Sequence, residues 1–429
     1  MQIIKYPSRK NWDTLCRRPA MQHSSVETTV RKILDDIKLD GDKAIRHHTQ
    51  LIDGSTPARW QVSAAEIEEA EKSISADLKK AIDVASENIR KFHAAQKQLS
   101  SIIEPMPGVK CWQKAIPIEK IGLYIPGGTA PLFSTVLMLA IPASIAGCGE
   151  VVMCTPPARN GTVHPAILYA ARRCGIKNIY KIGGAMAIGA MAYGTETVSR
   201  VYKIFGPGNQ YVTAAKMLVN REGIAIDMPA GPSEVVVIAD NTANPHFICW
   251  DLLSQAEDGP DSQVLLLSTK EEIIQKVLDV LPAHLDKLER KEFAKKSLEH
   301  SACILFENDA EMMDFCNTYA PEHLIIETED FTTLGNKVIN AGSVFLGHFS
   351  PESAGDYASG TNHTLPTSGY ARVYSGVNLD SFMKKITFQW LSEDGFQRLA
   401  PTIEIMASQE NLQAHKTAVS IRIEHLKKQ

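Results

Sequence analysis

Residues 121–155 read IGLYIPGGTAPLFSTVLMLAIPASIAGCGEVVMCT. A β-branched run at 121–125 ends in Pro126-Gly127-Gly128, an apolar helical stretch covers 132–146, and a second β-branched run occupies 151–155. Strand, glycine turn, helix and strand in that order form a βαβ unit, which packs as parallel strands under a covering helix. The rhythm continues with strands at 178–182 and 201–205 and helices at 165–174, 187–193 and 209–220. A second series follows the turn MPAGP at 228–232. Its strands fall at 235–239, 264–267, 302–306, 324–327 and 343–346, and its helices at 243–257, 270–280, 310–319 and 331–339. The expected fold class is α/β, with two comparable parallel-sheet units in tandem.

Helical periodicity dominates outside these two series. Ile67, Ala70, Ile74, Leu78, Ile82, Ala85 and Ile89 recur at spacings of three and four within one long pattern over 63–98. Residues 26–51 read as a shorter helix pair broken at Gly41. The tail from 379 to 429 reads as helical again, with no strand partner in its own unit. Such a tail often docks elsewhere, including on another subunit.

A chain of 429 residues exceeds one compact core, so two or more domains are expected. Its 44% apolar and 22% charged content is that of an ordinary globular protein. A net charge of −4 with scattered lysines argues against nucleic acid and against an anionic membrane surface. Eight cysteines without a CxxC pair read as small buried hydrophobes in a reducing compartment. The start MQIIKYPSRKNWD has no apolar signal core, and the apolar run at 136–148 is too short to span a bilayer. A cytoplasmic location is expected.

Parallel sheets bind ligands beyond the carboxyl ends of their strands. The clusters Pro126-Gly127-Gly128, Gly183-Gly184 and Gly206-Pro207-Gly208-Asn209 fall there, suited either to tight turns or to nucleotide contact. None matches GxGxxG. Three polar stretches, 254–263 (SQAEDGPDSQ), 319–324 (YAPEHL) and 350–363 (SPESAGDYASGTNH), crowd carboxylates, amides and imidazoles beside apolar segments. Placing such groups near a core is costly unless something binds them, so a metal or polar substrate is expected. Gln255 and Asp258 stand three apart and share a helix face. Asp356 lies in a long Gly/Ser loop with Glu352, Ser353 and His363. Glu322 and His323 are adjacent at a strand start, where extended backbone points neighbours opposite ways. Two distinct acid–base roles in one cleft suit them better than one shared metal. His415 sits on the last helix with Glu410 five residues before it, which alone reads as a solvated face.

Taken in order, GLYIPGG, IFGPGNQYV, PAGPSE, LLSQAE-GPDSQ, PEHL, SVFLG, SPESAGDYASGTNH and LQAHKTAV closely resemble the histidinol dehydrogenase family from about residue 121 to the end. The resemblance implies two tandem incomplete Rossmann-like domains with parallel sheets, plus small helical terminal extensions. Their expected limits are 1–20 for an N-terminal extension, 21–123 with 232–376 for the first domain, 124–231 for an NAD-binding second domain, and 377–429 for a tail docked on the partner subunit. It also implies oxidation of L-histidinol to L-histidine through histidinaldehyde with two NAD⁺, a homodimer, and one Zn²⁺ per site. By position, the metal ligands fall on Gln255, Asp258, Asp356 and His415, and the catalytic pair on Glu322 and His323. Substrate contacts fall on Ser233, Gln255, Asp258, His323, Asp356, Glu410 and His415. Cofactor contacts fall on Tyr124, Met186 and Asn209.

Two positions depart from the family pattern. Asp258 stands where the family has His, which hardens the ligand set and weakens its selectivity for zinc over Mn²⁺ or Mg²⁺. Met186 stands where the family has Gln, which removes one donor toward the cofactor. The alternatives are a metal-dependent NAD dehydrogenase acting on another polar alcohol, or a metal-dependent hydrolase using a Glu-activated water.

Overall fold

The computed structural model describes residues 1–19, 23–54, 56–97, 100–127 and 130–428; Gly128 and Gln98 of the motifs above lie outside the described residues. Six parallel strands form the larger sheet, in the order Gln2–Lys5, Ala302–Leu305, Gln263–Ser268, Glu234–Ala239, His323–Glu327 and Ser343–Leu346. Glu234–Ala239 and Gln263–Ser268 are buried at every position, which is why they read as unbroken apolar runs rather than alternating ones. Val235, Val237 and Ile325 pack under the helix Pro245–Ala256, and Val236, Ile238 and Leu324 pack on the opposite face under Asp309–Tyr319.

The second parallel sheet has five strands in the order Asn178–Tyr180, Glu150–Cys154, Lys120–Tyr124, Lys203–Phe205 and Ala225–Ile226. It therefore begins ahead of the edge expected at 124. Its helix Phe133–Ala146 is buried over most of its circumference and ends at Gly147, whose φ of +86° suits a residue without Cβ. Both sheets belong to one compact unit, residues 1–96 and 118–382. Residues 97–117 and 383–429 form the other.

The tandem parallel sheets match the expected fold class; several elements do not match their expected form. The tail is not helical throughout. Met383–Leu391 is a strand that pairs antiparallel with Val109–Pro117, which also pairs with Ile103–Met106. Ile386, Phe388 and Trp390 alternate there with period two, and Phe388 stacks on Trp112 at 5.5 Å. Only Glu393–Gln409 and Gln413–Leu426 are helices in the tail. The long helix of 63–98 is two helices, Ala64–Ser73 and Ala76–Ala94. Extended Ile74 separates them, Ser63 closes a capping box with Glu66, and Ser75 caps the second. The helix pair at 26–51 does break at Gly41, whose φ is +51°. Further elements without a counterpart in the sequence reading include the edge strand Gln2–Lys5, the strand Ala225–Ile226 and the helix Lys291–Glu299. Among the described residues, no helix is long and apolar enough to cross a membrane.

Candidate functional site

The polar residues singled out around the larger sheet gather at the amino ends of its strands, not at the carboxyl ends. Ser233 directly precedes Glu234–Ala239, and His323 is the first residue of its strand, in register with Val235 and Ser343. Gln255 closes the helix that returns to this edge, and Asp258 lies in the turn after it. Asp356 is not in a loop but on the short helix Glu352–Tyr357. That helix packs close to Phe345, with no room for a Cβ at Gly355 beside the ring.

His323 is the centre of this cluster. Its Nδ1–H donates to the Glu234 carbonyl at 3.2 Å, and a carbonyl can only accept, so the other nitrogen is the one free to react. That Nε2 is buried without a hydrogen-bond partner and lies 3.6 Å from Asp356 Oδ1. Glu322 Oε2 accepts the Glu234 N–H at 2.9 Å and lies 3.6 Å from His323 Nδ1. The two neighbours therefore converge instead of pointing apart, because the strand starts only at His323 and Glu322 belongs to the turn before it. Gln255 Nε2 donates to Asp258 Oδ2 at 2.8 Å, leaving Gln255 Oε1 buried and unpartnered.

The electrostatics are those of acids crowded around one base. Burial pushes the Glu322 carboxyl up to about 7, with His323 opposing the shift. Asp258 keeps exposed surface, but its carboxyl turns toward buried Gln255; loss of surrounding water and the nearby Asp356 charge push it up to about 6. Burial raises Glu352 well above the usual carboxylate range. Burial alone would depress His323, yet Glu322, Glu352 and Asp356 raise it well above its ordinary value. Burial acts upward on Asp356, but contact with His323 holds it below the usual range.

Donor atoms of His323, Glu352 and Asp356 lie within 4.8 Å of one another, the arrangement a cation needs. Orphaned Gln255 Oε1, His323 Nε2 and Glu352 Oε2 point to the same conclusion, so the residues present fit a divalent ion. Glu352 was the residue missed from the site. Its signal was the spacing of four from Asp356, which places both on one helix face. The second tier includes His363, whose Nδ1–H donates to the Asp356 carbonyl at 3.0 Å while its Nε2 meets Thr135 Oγ1 at 3.1 Å.

Three expected cofactor residues lie at the carboxyl edge of the five-stranded sheet. Tyr124 ends its central strand, and its hydroxyl accepts the Gly184 N–H at 3.2 Å. Burial pushes that phenol up to about 12. Met186, 3% exposed, sits in the first turn of Gly184–Tyr193 within the apolar core. Exposed Asn209 caps Gln210–Arg221 by accepting from Tyr211 and Val212. Gly206 is tied to this edge: with φ +126°, a Cβ there would lie 2.1 Å from the Tyr124 carbonyl oxygen. Glu410 and His415 belong to the other compact unit; both are exposed, Glu410 ending one helix and His415 opening the next across Asn411.

Paired parallel sheets, with glycine turns at the carboxyl edge of one and an acid–imidazole centre at the amino edge of the other, define a two-sheet α/β enzyme. The comparisons make that class specific. The family model described as histidinol dehydrogenase matches residues 16–423. The histidinol dehydrogenase of Bacteroides thetaiotaomicron is 56% identical over 427 residues, covering 100% of both chains. That of Escherichia coli K12 is 51% identical over 418 residues, covering 97% of this chain and 95% of its own. The crystal structure of histidinol dehydrogenase from Elizabethkingia anophelis superposes with a TM-score of 0.97 at 54% identity, covering 100% of this chain and 99% of that one. The chain belongs to the histidinol dehydrogenase family and is a dehydrogenase.

Proposed function

We propose that this enzyme oxidises L-histidinol to L-histidine through L-histidinaldehyde, passing two hydrides to two molecules of NAD⁺ in the closing steps of histidine biosynthesis. The observation that carries the reading is His323, whose Nδ1–H is committed to a backbone carbonyl while Nε2 faces a carboxylate-lined centre. Nε2, once unprotonated, takes the alcohol proton as hydride departs, and the carboxylates that raise His323 stabilise the imidazolium so formed. Glu322, anchored by the Glu234 N–H and raised toward neutral pH, takes a proton from the water that attacks the aldehyde. Protonated His323 gives its proton to the aldehyde oxygen, which completes the gem-diol and leaves the imidazole neutral to take a hydroxyl proton as the second hydride departs.

Gln255, Asp258 and Asp356, with Glu352 alongside, would hold one divalent cation per subunit, with His415 of the tail completing the set. Bound there, the ion supplies a Lewis-acidic anchor for the substrate's imidazole and amine, and as Zn²⁺ it takes no part in electron transfer. Ser233 and Glu410 contact the substrate in this reading, and Tyr124, Met186 and Asn209 line the NAD⁺ path. His415 and Glu410 come from a second copy of the chain, which makes the homodimer the active form. The cytoplasm, where NAD⁺ and the pathway's intermediates reside, is its place of work. A substrate panel tests the assignment: L-histidinol should reduce NAD⁺, whereas polar alcohols lacking an imidazole should not. Faster NADH formation with one of those alcohols would shift the assignment to a related dehydrogenase, and none with any alcohol would revive the hydrolase.

A further inference from the structure

The strand His323–Glu327 carries a second buried acid at its other end. Glu327 is 1% exposed, and among the described residues neither of its carboxyl oxygens receives a hydrogen bond from a protein donor. His323, Ile325 and Glu327 alternate onto one face of the sheet, and Ile325 packs with Leu252 and Leu253 of the helix Pro245–Ala256. Asp251 of that helix is 8% exposed and reaches Glu327 side chain to side chain. Asp251 stands one turn before Gln255, just as Glu327 stands four residues after His323. The helix thus carries Gln255 toward the functional site, and Asp251 meets the strand at a pair of carboxyls about 13 Å along it from His323.

Two carboxylates are both acceptors, so the contact needs a proton between them. Among the described residues, the other charged or titratable groups around Glu327 make no hydrogen bond to it. His348 Nδ1 lies 3.9 Å from Glu327 Oε2, too far for a hydrogen bond. Asp240 takes up the Thr242 hydroxyl and the Glu329 N–H. With its own hydrogen committed to Asp240, Thr242 Oγ1 accepts from His348 Nε2 at 3.3 Å.

We infer that Asp251 and Glu327 form a proton-sharing positioning pair that locks the helix Pro245–Ala256 to the strand His323–Glu327 and so holds Gln255 at the amino edge where His323 stands. The inference deepens the functional reading and rests on the place it gives Gln255. Glu327 carries the proton and donates it to Asp251, consistent with burial and the neighbouring acid raising Glu327 to about 9, and with burial raising Asp251 to about 6. The folded chain keeps a proton that the unfolded chain releases above its ordinary carboxylate value, so Glu327 costs stability as pH rises from there toward about 9.

The test compares Glu327→Gln, whose amide supplies a permanent donor to Asp251, with Glu327→Ala. Thermal melting of the full chain across pH 5–9 reads the shared proton. Glu327→Gln should remove part of the wild-type decline in stability. Zn²⁺ affinity by chelator competition and KM for L-histidinol read the positioning. Glu327→Ala should weaken zinc roughly tenfold, in the range of outer-shell changes at metal sites, and raise KM, while Glu327→Gln restores both. Unchanged zinc affinity and KM in Glu327→Ala would reduce the pair to packing and overturn the inference. An undiminished pH slope in Glu327→Gln would overturn the shared proton. Failure of the wild type to oxidise L-histidinol would count against the functional reading alone, since melting and zinc uptake do not need turnover.

Discussion

The carboxyl edge of the five-stranded sheet and the amino edge of the six-stranded sheet are built from different materials. The first is backbone and apolar surface: Gly206 pressed against the Tyr124 carbonyl, buried Met186, and Asn209 engaged as a helix cap. The second gathers Glu322, Glu352, Asp356 and Asp258 around His323, with several buried atoms unpartnered. One edge offers shape and backbone, and the other offers protons and charge. The division suits a reaction in which a dinucleotide only needs placing while the alcohol needs deprotonating. The acid–imidazole cluster, at the amino ends of its strands, departs from the usual preference for carboxyl ends.

Substitutions at the two edges should therefore fail differently. The largest effect belongs to His323→Ala, expected to lower kcat by about 10²–10⁴ with folding intact, read by steady-state rates and a melting curve. Glu322→Gln should be nearly as damaging with histidinaldehyde but milder for the first hydride step, seen by pre-steady-state NADH formation. If both steps suffer equally, Glu322 does not serve water. Gly206→Ala should instead lower stability by about 1–3 kcal/mol, because φ +126° and the Tyr124 carbonyl leave no room for a methyl. Denaturant melts measure it.

Smaller effects sharpen the contrast. Asp258→His should tighten Zn²⁺ over Mn²⁺ by roughly tenfold, measured by competitive metal uptake; no change would place Asp258 outside the ion's reach. Met186→Gln should lower KM for NAD⁺ about fivefold, the worth of roughly 1 kcal/mol for one hydrogen bond. An unchanged KM would mean that the buried position never meets the cofactor. Without added metal, stability should fall as pH rises from the ordinary carboxylate value through about 7, because folded Glu322 retains its proton longer than the unfolded chain does. Glu322→Gln should flatten that window, whereas Glu327→Gln should flatten one extending to about 9.

The parallel sheets were legible because runs such as EVVVIA at Glu234–Ala239 are buried on both faces and carry no competing signal. The antiparallel sheet was hidden for the opposite reason. Met383–Leu391 is mostly exposed, so its alternation of Ile386, Phe388 and Trp390 lay among polar residues that suit a helix equally well. At the site, the motifs around Gln255, Glu322, His323 and Asp356 stood out as polar groups beside apolar runs. Glu352 did not, since Gly and Ser around it suggested a loop and concealed the helical spacing to Asp356. Which edge of the sheet the groups would occupy depends on how the helices return, and that is a property of the folded chain.

The most direct measurement is the yield of NADH per L-histidinol consumed to completion, with Zn²⁺ present. Two oxidations at the His323 centre predict two NADH and L-histidine as the sole product. A yield of one with accumulated aldehyde, or none with histidinol intact, would contradict the account.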